Sequence, residues 1–194
     1  MRMQSASESK VILVGEPSVG KTSIIQQYHN RVFESDAEST VGASFVSKSV
    51  KTDKGDVQLH IWDTAGQERY RSLIPMYSRN ACAAILVVDI QNMASFETKD
   101  TWINILKSNC LPSCKIYIVA NKIDLEPTIP LDELGRWAMT EEYTFFKTSA
   151  KDYNSVEIVF QKIAIDILEG EQVKIVQNQP GSVDLNEQQK KKCC

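Results

Sequence analysis

Two apolar runs, "CAAILVVDI" (Cys82–Ile90) and "KIYIVAN" (Lys115–Asn121), show no polar alternation. A strand with one wet face alternates with period two, so runs of this kind belong to strands buried on both faces. Such strands need helices above and below, and parallel neighbours reached through those helices. "KVILVG" (Lys10–Gly15) supplies a third buried strand, and a helical pattern follows from Lys21 to Tyr28. A helix from Ser95 to Lys107 separates the two central strands. In "NSVEIVFQKIAIDILEG", residues Val156, Val159, Phe160, Ile163 and Ile167 fall on one helical face, with Asn154 placed to cap the start and Gly170 the end. "ASFVSKSVK" (Ala43–Lys51) and "DVQLHIW" (Asp56–Trp62) do alternate, and "DKGD" between them turns the chain into a hairpin. The pattern predicts an α/β fold, with ligands at the carboxyl ends of its strands.

The 194 residues suffice for one domain with a tail. The domain is expected over residues 9–170, after a flexible stretch at 1–8. Beyond Gly170 the composition turns to Gln, Asn, Glu, Lys, Pro and Gly, which predicts a disordered tail over 171–194. A net charge of −3 gives no basic field for nucleic acid. The opening "MRMQSASESK" lacks the apolar core of a secretory signal, and no apolar run is long enough to span a bilayer. Five cysteines make no disulfide framework, and Cys110 and Cys114 lack the second pair or histidine cluster of a metal site. They read as thiols of a reducing compartment.

Between the first strand and its helix stands "GEPSVGKT", which fits the phosphate-loop pattern G-x-x-x-x-G-K-[ST] from Gly15 to Thr22. Its glycines let the backbone wrap a phosphate with N–H groups inward, and the helix N-terminus adds the positive end of a dipole. Gly15, Ser18, Val19, Gly20 and Ser23 make up the cradle, Lys21 reaches the β- and γ-phosphates, and the Thr22 hydroxyl ligates Mg²⁺. Pro17 removes one N–H donor from this loop. Taken alone, the motif calls for a nucleoside triphosphate and leaves the base open.

"NKID" (Asn121–Asp124) closes an apolar strand. The Asp124 carboxylate can accept from the N1–H and 2-amino group of guanine, a pattern adenine lacks. Asn121 can tie this loop to the phosphate loop, while the Lys122 stem covers one face of the base. In "TSAK", Ser149, Ala150 and Lys151 bring a second loop to the base, with the Ala150 N–H toward the guanine O6. "WDTAGQE" places Asp63 toward Mg²⁺, the Gly66 N–H toward the γ-phosphate and Gln67 toward an attacking water. Thr40 in "STVGASF" is a second Mg²⁺ ligand, made only while the γ-phosphate is present. Two other readings are a P-loop phosphotransferase, which needs an acceptor pocket and an arginine-bearing lid, and a non-hydrolysing GTP-binding scaffold, which Gln67 opposes and Pro17 leaves open.

These motifs, in this order over nearly all of residues 9–170, resemble those of the Ras-superfamily small GTPases. "WDTAGQERY", "STVGASF" and the double-cysteine end are most similar to the Rab branch, which governs vesicle traffic, and "ESTVGASF" with "ERYRSLIPMY" is similar to its early-endosomal members. The family pattern often has Tyr-Tyr-Arg-Gly-Ala where this chain has "YSRNA" (Tyr77–Ala81). The resemblance implies a P-loop G domain: a six-stranded, mostly parallel sheet with one antiparallel edge strand. It implies GTP and GDP as ligands, Mg²⁺ as cofactor and Phe33 edge-on to the guanine. A GTP-held pair of switch loops relaxes after hydrolysis. No arginine finger stands in the chain, so intrinsic turnover is expected on the order of 10⁻⁴ to 10⁻² s⁻¹.

Period two in the hairpin puts Phe45 and Trp62 on its polar face, an aromatic patch between the switches. In Rabs, aromatics matching Phe45, Trp62 and Tyr77 contact effectors. His60 and His29 read as solvated residues without a catalytic role. The end "QQKKKCC" implies, through the resemblance, geranylgeranyl groups on Cys193 and Cys194. Two such chains give stable membrane anchoring. Lys190–Lys192 add attraction to anionic lipid. The implied partners are effectors, an exchange factor, an activating protein and an escort or GDP-dissociation inhibitor, acting on a monomeric G domain at the cytoplasmic face of endosomal membranes.

Overall fold

The computed structural model describes residues 7–35 and 39–177. The elements run β1 (Ser7–Val14), α1 (Lys21–Asn30), β2 (Ala43–Thr52), β3 (Gly55–Thr64), α2 (Glu68–Arg71), α3 (Ile74–Ser78), β4 (Ala83–Asp89), α4 (Met93–Glu97), α5 (Lys99–Asn109), β5 (Lys115–Asn121), α6 (Leu131–Thr140), β6 (Thr144–Thr148) and α7 (Tyr153–Gln177). The sheet order is β2-β3-β1-β4-β5-β6. Only the β2–β3 pair is antiparallel, with Phe45 opposite Trp62 and Val50 opposite Val57. The six-stranded sheet with one antiparallel edge strand is therefore as expected.

Helices cover both faces, and each face has its own apolar core. On one side Val11, Leu13, Leu59, Ile85 and Val119 of the sheet meet Ile25 and Tyr28 of α1 and Val156, Val159, Phe160 and Ile163 of α7. Tyr28 stacks on Phe160 at 4.0 Å between ring centroids. On the other side Ile12, Leu86, Val88 and Ile118 meet Ile74, Phe96, Trp102, Leu106 and Leu134. The non-alternating strand β4 is buried along its whole length, because both its faces lie under helices.

Besides shifts of one or two residues at several element ends, four features differ from the sequence reading. First, β1 begins at Ser7 rather than Lys10, so Ser7 and Glu8, expected in a flexible N-terminus, are strand. They pair with Val57 and Gln58, because the ten-residue β3 has backbone groups to satisfy along its inner edge. Second, the helix expected over Ser95–Lys107 is two helices, α4 and α5, joined at Thr98. The Thr98 hydroxyl donates to the Ala94 carbonyl at 2.8 Å beside the Thr98 backbone N–H at 3.0 Å, a back-bond of the kind that bends helices. Third, Asp152 caps α7, accepting from the backbone N–H of Asn154 at 3.0 Å and of Ser155 at 3.3 Å. Asn154, expected in that role, lies one residue inside the helix. Fourth, α7 passes through Gly170 to Gln177. A glycine stops a helix by turning left-handed, and Gly170 is not among the positive-φ residues. The expected tail is thus helical over 171–177, and its remainder lies outside the described residues, as do Lys190–Lys192, Cys193 and Cys194. Among the described residues no helix is long and apolar enough to cross a membrane.

Candidate nucleotide-binding site

The loop from β1 to α1 lies at the centre of the sheet, where β1 ends between β3 and β4. Gly15, Ser18 and Gly20 hold φ of 138°, 61° and 97°. A Cβ on Gly15 would stand 2.4 Å from the Val87 carbonyl oxygen, and one on Gly20 would stand 2.3 Å from Asn121 Nδ2. The glycines of the motif are therefore demanded by close approach as well as by torsion. Val19 buries its side chain completely, leaving only its backbone to the loop. Asn121 ties the loops together, its Nδ2 donating to the Val19 carbonyl at 2.9 Å while its Oδ1 accepts from Thr148 Oγ1 at 3.2 Å.

The Lys21 ammonium is nearly buried and donates to the carbonyls of Gly15 at 2.9 Å and Glu16 at 2.8 Å. Burial pushes its pKa down to about 8, against the pull of Asp63 and Glu16. A phosphate oxygen in the loop would reverse that burial penalty by pairing the charge.

Three hard oxygen donors converge beside it. Thr22 Oγ1 donates to Asp63 Oδ2 at 2.8 Å, Thr40 Oγ1 donates to the same oxygen at 3.0 Å, and the two hydroxyls lie 2.8 Å apart. Asp63 Oδ1 is buried without a hydrogen-bond partner. Burial raises the Asp63 pKa, with Thr22, Thr40 and Lys21 opposing the rise. A buried carboxylate in want of a cation, with two hydroxyls beside it, fits Mg²⁺.

At the far end of the same cavity, Asp124 Oδ1 accepts from Ser149 Oγ at 2.6 Å and Asp124 Oδ2 from Lys151 Nζ at 2.7 Å. Those two donors hold the Asp124 carboxyl below its ordinary range, so it stays an acceptor. Lys122 extends along the rim to Asp89 Oδ2 at 2.6 Å. Lys151 Nζ also lies 5.7 Å from the ring centroid of Phe33. The cavity has a volume of about 420 Å³. Ser18, Gly20, Lys21, Thr22, Ser23, Phe33 and Thr40 line it, as do Gly66, Gln67, Asn121, Lys122, Asp124, Ser149, Ala150 and Lys151. Gly15, Val19 and Asp63 are not among the lining residues, though Asp63 bonds to Thr22 and Thr40, which are. Glu34, Ser35, Ser39 and Leu125 also line the cavity, and no motif had singled them out.

Gly66 lies so close to the phosphate loop that a Cβ there would stand 2.6 Å from the Glu16 carbonyl and the Pro17 nitrogen. Phe45 is exposed and stacks on Trp62 at 5.4 Å, and Trp62 meets Tyr77 at 6.1 Å; Trp62 and Tyr77, expected in an exposed patch, are half-buried against the second core. His60 bonds Ser47 Oγ through Nδ1 at 2.7 Å, and His29 is exposed. Cys110 and Cys114 are half-buried free thiols beside the second core. No metal-binding cluster of His, Cys, Asp or Glu occurs among the described residues.

Residues 10–169 match the family model described as "Ras family". The Ras-related protein Rab5A of Oryza sativa subsp. japonica is 38% identical over 181 residues, 92% of this chain and 88% of that protein. The Ras-related protein RABF2a of Arabidopsis thaliana is 39% identical over 80% of this chain and 79% of its own length. The Ras-related protein Rab-11A of Dictyostelium discoideum is 34% identical over 81% and 75%. With the phosphate loop, the acidic base loop and the sheet order in place, the chain belongs to the Rab branch of the Ras superfamily and is a small GTPase.

Proposed function

We propose that this Rab GTPase is a membrane-anchored switch that regulates endosomal vesicle traffic, held on by GTP and released by slow hydrolysis. One observation carries the nucleotide assignment: a single cavity has an anionic hydrogen-bond acceptor, Asp124, at one end and, at the other, the nearly buried Lys21 ammonium with the hydroxyls of Thr22 and Thr40, both bonded to Asp63. Guanine suits the first end and a polyphosphate the second.

Thr22, Thr40 and Asp63 would hold Mg²⁺, which when bound offsets charge on the β- and γ-phosphates. Lys21 turns from the loop carbonyls to the phosphate oxygens, and the backbone N–H of Gly66 meets the γ-phosphate. Gln67 orients a water, whose oxygen attacks the γ-phosphorus as the bond to the β–γ bridging oxygen breaks, leaving GDP and inorganic phosphate. Loss of the γ-phosphate frees Thr40 and Gly66 and lets their two loops relax. Phe45 and Trp62 are paired on the strands that run into those two loops, and Tyr77 packs on Trp62, so effectors that grip the aromatics also sense the nucleotide. Exchange factor, activating protein and a GDP-dissociation inhibitor complete the cycle. Geranylgeranyl groups on Cys193 and Cys194 hold the domain to the cytoplasmic face of the membrane. The similarity of "ESTVGASF" and "ERYRSLIPMY" to early-endosomal Rabs supports the compartment.

The purified full-length chain is expected to release phosphate from GTP and not from ATP. Equal use of ATP overturns the base assignment. A tagged chain is expected on endosomes, and its Cys193→Ser/Cys194→Ser form in the cytosol; equal membrane association of both overturns the anchor.

A further inference from the structure

Glu16 puts a carboxylate one residue into a loop that has to bind an anion. Its side chain turns out of the cradle and is only 12% exposed. Its Oε1 accepts two hydrogen bonds from distant parts of the chain: one from Arg71 Nη2 at 3.0 Å and one from the indole N–H of Trp102 at 3.0 Å. Trp102 is fixed in the core of α5, with 1% of its surface exposed. Arg71 is the last residue of α2, the helix that begins one residue after Gln67. Its guanidinium lies 5.0 Å from the centroid of the Trp102 ring. Its Nε is buried without a partner, so among the described residues Glu16 is the one anion that holds it. The close approach of Gly66 to the Glu16–Pro17 peptide lies on the other side of Gln67. Gln67 is thus bracketed by two contacts, and both run to Glu16.

We infer that Glu16 is a positioning residue for GTP hydrolysis: its carboxylate, steadied by Trp102, holds Arg71 and thereby draws α2 and Gln67 onto the phosphate loop. Two structural features argue against mere neutralisation of a stray charge. A carboxylate turned to solvent would need no partner, whereas this one is largely withdrawn from solvent and bonded from two elements. No residue of the four-residue α2 is fully buried, and its hold on the rest of the chain runs through Arg71, which lies by the Trp102 ring and pairs with Glu16. The inference rests on the role given to Gln67 above.

The test uses the full-length chain preloaded with GTP. Single-turnover hydrolysis reads the chemistry, and dissociation of a fluorescent GDP analogue reads nucleotide binding. Glu16→Gln keeps the shape and an acceptor oxygen for Trp102 while removing the charge. It is expected to slow hydrolysis about tenfold, the size of a charge-assisted hydrogen bond in a rate, with dissociation changed less than about threefold. Arg71→Gln is expected to do the same, and the double variant to be no slower than either single one. In both single variants the Trp102 indole resonance, assigned with Trp102→Phe, is expected to move. Should Glu16→Gln lose its fold, Arg71→Gln, on the more exposed side of the pair, carries the same measurement. Hydrolysis within twofold of wild type, or single-variant losses that multiply in the double variant, overturns the inference. Gln67→Leu separates the two roles. If it is slow while Glu16→Gln is not, only the inference falls; if it is as fast as wild type, the role of Gln67 falls and the inference with it.

Discussion

Gly20 has no freedom left to give. Its φ of 97° and the 2.3 Å between a would-be Cβ and Asn121 Nδ2 exclude any side chain, and Asn121 holds the base loop to the phosphate loop at that point. Gly20→Ala is expected to cost about 2 kcal/mol of stability through torsional strain and the displaced Asn121. Guanine-nucleotide binding should fall with it, as thermal unfolding with and without GDP would reveal. Wild-type stability in the variant would show that the loop can open without loss. The need for glycine here was legible in the motif, and so was the convergence of Lys21, Thr22 and Asp63, because each of them stands in a short local pattern. Glu16 was not legible. It occupies a free position of the pattern, and its partners lie 55 and 86 residues away. Its one sequence signal was the oddity of an acid in an anion-binding loop.

At the scale of elements, α7 binds one face of the sheet through Phe160, Ile163 and a polar knot. Asp166 accepts from Tyr117 Oη and Lys162 Nζ, each at 2.8 Å, and pairs with Lys115 Nζ at 3.2 Å. Burial alone would raise the Asp166 pKa, but the three donors outweigh it and hold the group below its ordinary 3.8. A folded pKa below the unfolded one stabilises the fold at pH values above 3.8, and that contribution is lost as pH falls through the folded value. Asp166→Asn is expected to lower stability by about 2 kcal/mol at neutral pH. In urea unfolding, the gap to wild type should then narrow steadily below pH 4 or so, as the wild-type carboxyl takes up its proton. A gap that stayed constant into acid would show that shape, not charge, holds the knot. Periodicity read the apolar face of α7 correctly and both its ends wrongly. The apolar face repeats along many residues, whereas each end depends on a single bond or torsion.

At the scale of the molecule, the two segments around Thr40 and Gly66 come from either end of one hairpin, and both reach the carboxyl end of β1. The β2–β3 ladder pairs Ala43 with Thr64 at that end, so each segment leaves the sheet next to the other. Hydrogen exchange is expected to slow together over residues 39–42 and 66–73 when a non-hydrolysable GTP analogue replaces GDP, with β4 and β5 unchanged. Protection in one segment alone would mean that they do not move as a pair. The sequence by itself determined that buried parallel strands alternate with helices, that a glycine-rich G-x-x-x-x-G-K-T loop follows the first strand, and that an acidic N-K-x-D loop closes a later one. Those features are written in periods and short spacings, which act through the nearest few bonds. Only the tertiary structure decided the order β2-β3-β1-β4-β5-β6, which places the phosphate loop between the ends of β3 and β4. That order brought Glu16 to Arg71 and Trp102. Contacts between remote residues depend on how the strands are ranked across the sheet, and no local pattern in a chain encodes that ranking.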